Sequence, residues 1–139
     1  MSQHIGNRLP APLRFDLGAA APAGAVASAL LLATVDEDGS PRLAVLAAGE
    51  VAVLDEARVS IDAHEASKTC ENLLARPRAA LWCVLDAAAY TIKGVVTPDA
   101  ALAVSGRRRF VVDVNSVWRD FEPAAPMIAG PTYRAGGEH

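Results

Sequence analysis

Apolar and polar positions alternate with a period of two through most of this chain, the pattern of strands that bury one face. Residues 30–35 read Leu-Leu-Leu-Ala-Thr-Val and run into the acidic turn Asp36-Glu37-Asp38-Gly39-Ser40, after which Pro41-Arg42-Leu43-Ala44-Val45-Leu46 returns. Gly39 provides the positive φ such a turn requires, so the two runs predict a β-hairpin. Gly49 marks the next turn, residues 51–54 a short strand, and Arg58-Val59-Ser60-Ile61 another with clean alternation. A polar break follows. Ser67-Lys68-Thr69 then opens a helical pattern that reaches about Ala75 and is closed by Pro77, with Cys70, Leu73 and Leu74 on its core side.

Beyond the helix the strands resume. Residues 79–85 are almost continuously apolar, which predicts a strand buried on both faces. Residues 90–96 place Tyr90, Ile92 and Val96 on one face and Thr91, Lys93 and Val95 on the other. Residues 97–106 read as a helical turn or a loop. Residues 109–118 form the longest predicted strand, with Phe110, Val112 and Val114 set against Val111, Asp113 and Asn115, and a final short strand falls within residues 127–134. Upstream, residues 1–24 are rich in Pro, Gly and Ala, with Leu9, Leu13, Phe15 and Leu17 as scattered anchors. They read as a partly ordered leader with one short helix that docks weakly, and residues 25–29 as a helical turn.

Many short strands joined by hairpin turns, with one helix inserted mid-chain, predict a mainly β fold: a small antiparallel β-barrel with helical additions, occupying residues 25–135. Without regular strand–helix alternation a dinucleotide-binding sheet is disfavoured. At 139 residues this is one domain. The 52% hydrophobic content is high for a soluble chain and points to a filled core and a covered subunit interface. A net charge of −3, with Arg107-Arg108-Arg109 the one basic run, argues against a nucleic-acid surface; the run reads as a solvated strand edge or turn, with phosphate contact as its alternative. Cys70 and Cys83 are too far apart for a redox pair or zinc site and read as buried thiols in a reducing, cytoplasmic setting. The apolar run at residues 25–35 is too short to span a membrane.

The candidate chemistry gathers at residues 67–69. The first turn of a helix has backbone N–H groups without intrahelical acceptors and the positive end of the macrodipole. Ser67 and Thr69 add hydroxyls and Lys68 a charge, so a phosphate can be held there. Ser67 is equally what any helix wants as an N-cap, and Asn72 suits a structural hydrogen bond as well as a ligand. His64-Glu65 lacks the second histidine of a zinc-protease motif, and Trp82 and Trp118 read as core or interface packing. No nucleophile triad, glycine-rich nucleotide loop or metal set stands out, and the residues name no catalytic acid or base.

Taken in order, LATVDEDGSPRLAVL, RVSIDA, SKTCENLLARPRAALWCVL and AAYTIKGVV resemble the pyridoxamine 5′-phosphate oxidase-like, FMN-binding split-barrel superfamily, most closely its small bacterial branch. The likeness runs from about Leu30 to Arg134. It implies a split barrel of six or seven mostly antiparallel strands and a homodimer with small-molecule ligand sites at the interface. It also implies FMN, with the phosphate near Ser67, Lys68, Thr69 and Asn72, a second basic contact from Lys93, and the ring along Ala44, Val45 and Leu46. Relatives with an assigned flavin carry two adjacent basic residues at the helix start, where this chain has Lys68-Thr69, and Asp62 stands close by. The resemblance therefore implies a flavin-dependent oxidoreductase of unknown substrate, with a non-catalytic split-barrel protein that has lost flavin, or binds haem or a deazaflavin, as its alternative.

Overall fold

The computed structural model describes residues 1–19, 21–99 and 106–136. Its elements in chain order are β1 (Ser2–Gly6), α1 (Ala11–Asp16), β2 (Val26–Ser28), β3 (Leu30–Val35), β4 (Pro41–Leu46), a 3-10 turn (Ala48–Glu50), β5 (Val51–Asp55), β6 (Arg58–His64), α2 (Lys68–Ala75), β7 (Arg78–Leu85), β8 (Ala88–Pro98), β9 (Arg107–Asp120) and β10 (Thr132–Arg134). The turn of the β3–β4 hairpin has Gly39 at φ +88 and is closed by Asp36 and Ser40, as its residues predict.

The main sheet is antiparallel and runs β4-β3-β7-β8-β9-β6-β5, curling into a split barrel. Long β9 is its spine. One edge pairs along its length with β8; the other takes β6 against residues 107–113 and β1 against residues 117–120. β4 lies at one end of the sheet, so its outer edge keeps backbone N–H and C=O groups that no strand among the described residues uses. A second, two-stranded sheet pairs β2 with β10, and the Tyr133 hydroxyl accepts a hydrogen bond from the Ala48 N–H at 3.0 Å.

The core fills the concave side. Leu32, Ile61, Leu81, Ile92, Phe110 and Val112, from β3, β6, β7, β8 and β9, are fully enclosed, and alternate positions face outward. Burial pushes the Cys83 thiol up to about 12 and raises that of Cys70. Among the described residues no helix is long and apolar enough to cross a membrane.

Four details differ from the pattern-based expectation. β7 alternates instead of burying both faces, because Ala80, Trp82 and Val84 point to the outer side of the sheet. Residues 26–28 form a strand, not a helical turn, since β10 returns to pair with them. Leu73 is enclosed but Leu74 is 46% exposed, on the side of α2 turned from the barrel. The segment read as a weakly docked leader contributes β1 to the sheet and Leu9, Leu13 and Leu17 to the core. Of residues 97–106, β8 takes the first two and residues 100–105 lie outside the described residues, as do residues 137–139 of the tail.

Candidate functional site

α2 begins where the sequence places it, and the reason is local. The Ser67 hydroxyl donates to the His64 carbonyl at 2.7 Å and accepts from the Cys70 N–H at 3.0 Å, capping the helix and fixing its approach from β6. The backbone N–H groups of Lys68 and Thr69 have no acceptor among the described residues. Thr69 is buried and Lys68 exposed, held only loosely by Glu71 at 3.4 Å. β9 passes alongside, pairing Ala63 with Arg108 and His64 with Arg107. Arg107 is bound to Glu50 at 3.2 Å and Arg109 to Asp62 at 2.9 Å, while Arg108 is exposed and joined to no carboxylate among the described residues. Its guanidinium lies near enough to Cys70 for its charge to favour the thiolate. With the Ser67 hydroxyl spent on the cap, the donors left at this point are two amides, an ammonium and a guanidinium, the chemistry a phosphate needs. The negative charge of Asp62 is answered by Arg109 through two hydrogen bonds, so it does not oppose an anion there.

The other end of α2 is tied to the hairpin. Asn72, 0% exposed, donates to Thr34 Oγ1 at 3.2 Å and Asp36 Oδ1 at 2.7 Å and accepts from Arg76 at 2.9 Å; Arg76 also donates to the Val35 carbonyl. Asp36 takes Arg42 of β4 as well, at 2.8 Å. The hydrogen bond from Arg42, then that from Asn72, hold the Asp36 carboxyl below 3.8, with a smaller pull from the Lys68 charge. A depressed carboxyl contributes stability above its unfolded value that is lost as pH falls through the folded one. The urea midpoints of the wild type and Asp36→Asn are therefore expected to differ at neutral pH and to converge below about pH 3.8.

Thus α2 and the start of β4 are held in one frame around Asp36. Ser67, Lys68 and Thr69 come together; Ala44 and Leu46 turn toward the core, Val45 outward. Asn72 spends both N–H groups inside the frame, a structural task. Lys93 lies on the outward face of β8 and lines a different cleft, which none of Ser67, Lys68, Thr69 and Asn72 lines. No group of His, Cys, Asp and Glu among the described residues is gathered for a metal ion.

Residues 25–125 match the sequence profile of the family described as pyridoxamine 5′-phosphate oxidase. The chain belongs to the pyridoxamine 5′-phosphate oxidase family. Within reach of that family, the uncharacterized protein YclD of Bacillus subtilis is 32% identical over 104 residues, 73% of this chain and 68% of YclD. Solved structures share the fold at lower identity. A Lactobacillus delbrueckii protein provisionally named a pyridoxamine 5′-phosphate oxidase has a TM-score of 0.54 at 18% identity, over 65% of this chain and 83% of that one. An F420 reductase has 0.52 at 19%, over 65% and 88%. A haem-binding protein from Mycobacterium smegmatis has 0.54 at 19%, over 66% and 48%. In this member of the pyridoxamine 5′-phosphate oxidase family, the pattern singles out the run Arg107-Arg108-Arg109 without distinguishing Arg108 from its ion-paired neighbours, and gives no sign of Arg76, which follows the helix unremarkably. The signal for Asp36 was present: it opens a turn that also has to anchor a helix.

Proposed function

We propose that this protein binds FMN as a homodimer and is a flavin-dependent oxidoreductase acting on a small-molecule substrate. The observation that carries the reading is the donor set at the start of α2: the N–H groups of Lys68 and Thr69, which have no acceptor among the described residues, the Lys68 ammonium, held only loosely by exposed Glu71, and the Arg108 guanidinium, which meets no carboxylate among the described residues. Arg108, from β9, supplies the second positive charge that Thr69 does not. The flavin, when bound, supplies the hydride-accepting ring. The edge of β4 along Ala44, Val45 and Leu46 offers unpaired backbone donors and acceptors to the polar rim of that ring. Titration of the purified chain with FMN, followed by flavin fluorescence quenching, is expected to saturate, and Lys68→Ala to weaken it about tenfold, the order of one lost charged hydrogen bond. Absence of saturable quenching in the wild type would sink the reading. A deazaflavin or haem ligand is the second reading, favoured by Thr69 where a basic residue is expected and by the likeness to an F420 reductase and a haem-binding protein.

The dimer reading is supported by the outward face of β4, β3 and β7. Val45, Leu31 and Trp82 stand in register in one row, Leu43, Ala33 and Ala80 in the next, and Leu43 and Val45 are 66% and 63% exposed. Apolar surface in that arrangement on an edge strand is normally covered. Leu43→Asp is expected to convert a dimer into a monomer in sedimentation equilibrium without lowering the melting temperature of the protomer fold; a wild-type monomer would refute the assignment.

A further inference from the structure

A cleft on the outer face of the sheet is left unused by the flavin reading. Between Lys93 and Gly94 the pairing of β8 with β9 slips: Lys93 stands opposite Ser116 and Gly94 opposite Val114, which leaves Asn115 over as a bulge on β9. Bulges re-aim side chains and bend the sheet locally. Here the bulge sets exposed Asn115 in the same cleft as Lys93 and as Arg78 from β7. The cleft has a volume of about 420 Å³; Val35, Pro41 and Val95 contribute to an apolar lining, and Ala33 and Ala80 form its border with the face assigned to the dimer contact.

Charge is what makes this cleft unusual. Arg78 stands opposite Val95 and Ala80 opposite Lys93, so Arg78 and Lys93 are diagonal neighbours on one sheet face, a separation of about 7–8 Å that long side chains readily span. Neither has an ion pair or side-chain hydrogen bond among the described residues, and no carboxylate lines the cleft. Asp113, on the same face of β9, is paired in register with Arg58 on the far side and does not line it. Two like charges set side by side without an answering group favour an anion between them. The guanidinium can grip a carboxylate or phosphate through two parallel N–H groups, the ammonium adds charge, and the Asn115 amide adds a neutral donor.

We propose that the cleft formed by Arg78, Lys93 and Asn115 binds a small organic anion, an apolar body bearing a carboxylate or phosphate, at a site separate from the start of α2. This goes beyond the flavin reading and assigns Lys93 to a second ligand. The experiment is a two-dimensional NMR titration of the full chain with phenyl phosphate and with benzoate, using benzyl alcohol as the neutral probe. At least one anion is expected to move the amides of Lys93, Gly94 and Asn115 saturably, the tighter of the two naming the head group, while benzyl alcohol at equal concentration leaves them in place. Arg78→Ala/Lys93→Ala is expected to weaken that binding at least tenfold and Asn115→Ala several-fold. All three side chains are exposed, and a thermal melt of each variant checks that the fold is kept. The proposal is overturned if neither anion saturates, if the shifts centre on residues 67–70, or if the double variant binds as the wild type does. FMN decides between sites: its affinity is expected to be unchanged in the double variant, and a loss equal to that in Lys68→Ala would assign the cleft to the flavin. Should the wild type bind no FMN, the flavin reading fails while the anion titration still decides this one.

Discussion

Gly94→Ala is expected to destabilise the protein by about 3 kcal/mol, at the upper end of what overpacking costs. Gly94 carries no unusual φ; it is glycine because the two strands come too close for anything else. A Cβ at this position would lie 2.3 Å from the Asp113 carbonyl oxygen and 2.7 Å from Val112 Cγ1. The first of these is backbone and cannot rotate away, so the variant must separate β8 from β9 at the centre of the sheet. Gly39→Ala makes the contrast. Gly39 has φ +88 with nothing within 4 Å of its would-be Cβ, so only backbone strain of about 1 kcal/mol is at stake. Urea unfolding of both variants separates close approach from dihedral strain. Equal midpoints would show that the strands yield at no greater cost than the strained turn.

Asn72→Ala is expected to cost a similar amount, about 2–4 kcal/mol, by a different route. The substitution leaves the buried Thr34 hydroxyl and the Arg76 guanidinium short of a partner and removes one of the two side chains that hold Asp36. Because water does not reach this position, the lost hydrogen bonds are not replaced. The same change is expected to weaken FMN binding, although Asn72 donates both its N–H groups elsewhere, because α2 loses its anchor to the hairpin. Asn72→Asp is expected to be worse than alanine at neutral pH, where a second carboxylate faces Asp36, and to recover as pH falls toward about 4 and a proton restores the donor. Chemical denaturation at pH 7 and pH 4 reads both effects. A stable Asn72→Ala with unchanged flavin affinity would show that the frame around Asp36 does not hold α2 in place.

The strands of the barrel were legible because burial on one face imposes a period of two, and α2 because Ser67 and Pro77 bound it. What escaped was set by pairing over long distances. Ser2-Gln3-His4-Ile5-Gly6 has no strand pattern; it is extended because the edge of β9 beyond β6 has to be filled. β2 depends in the same way on β10. At the candidate site, helix-start chemistry was readable at Ser67 and Lys68, whereas the positions of Arg108 and Lys93 follow from strand register, which local sequence does not specify. The bulge did leave a trace. Phe110, Val112 and Val114 are buried two apart, then Val117 follows after three, and that change of phase marks Asn115 as the extra residue.

The shared edge of β9 also has a meaning in time. β1 pairs with residues 117–120, so its partner lies over a hundred positions further along the chain. On a ribosome β1 has no partner in the sheet until β9 has been made, and the loop it closes is among the longest in the domain. Folding of the sheet is therefore expected to finish with β1: of the described strands, the one synthesised earliest is the one that must wait.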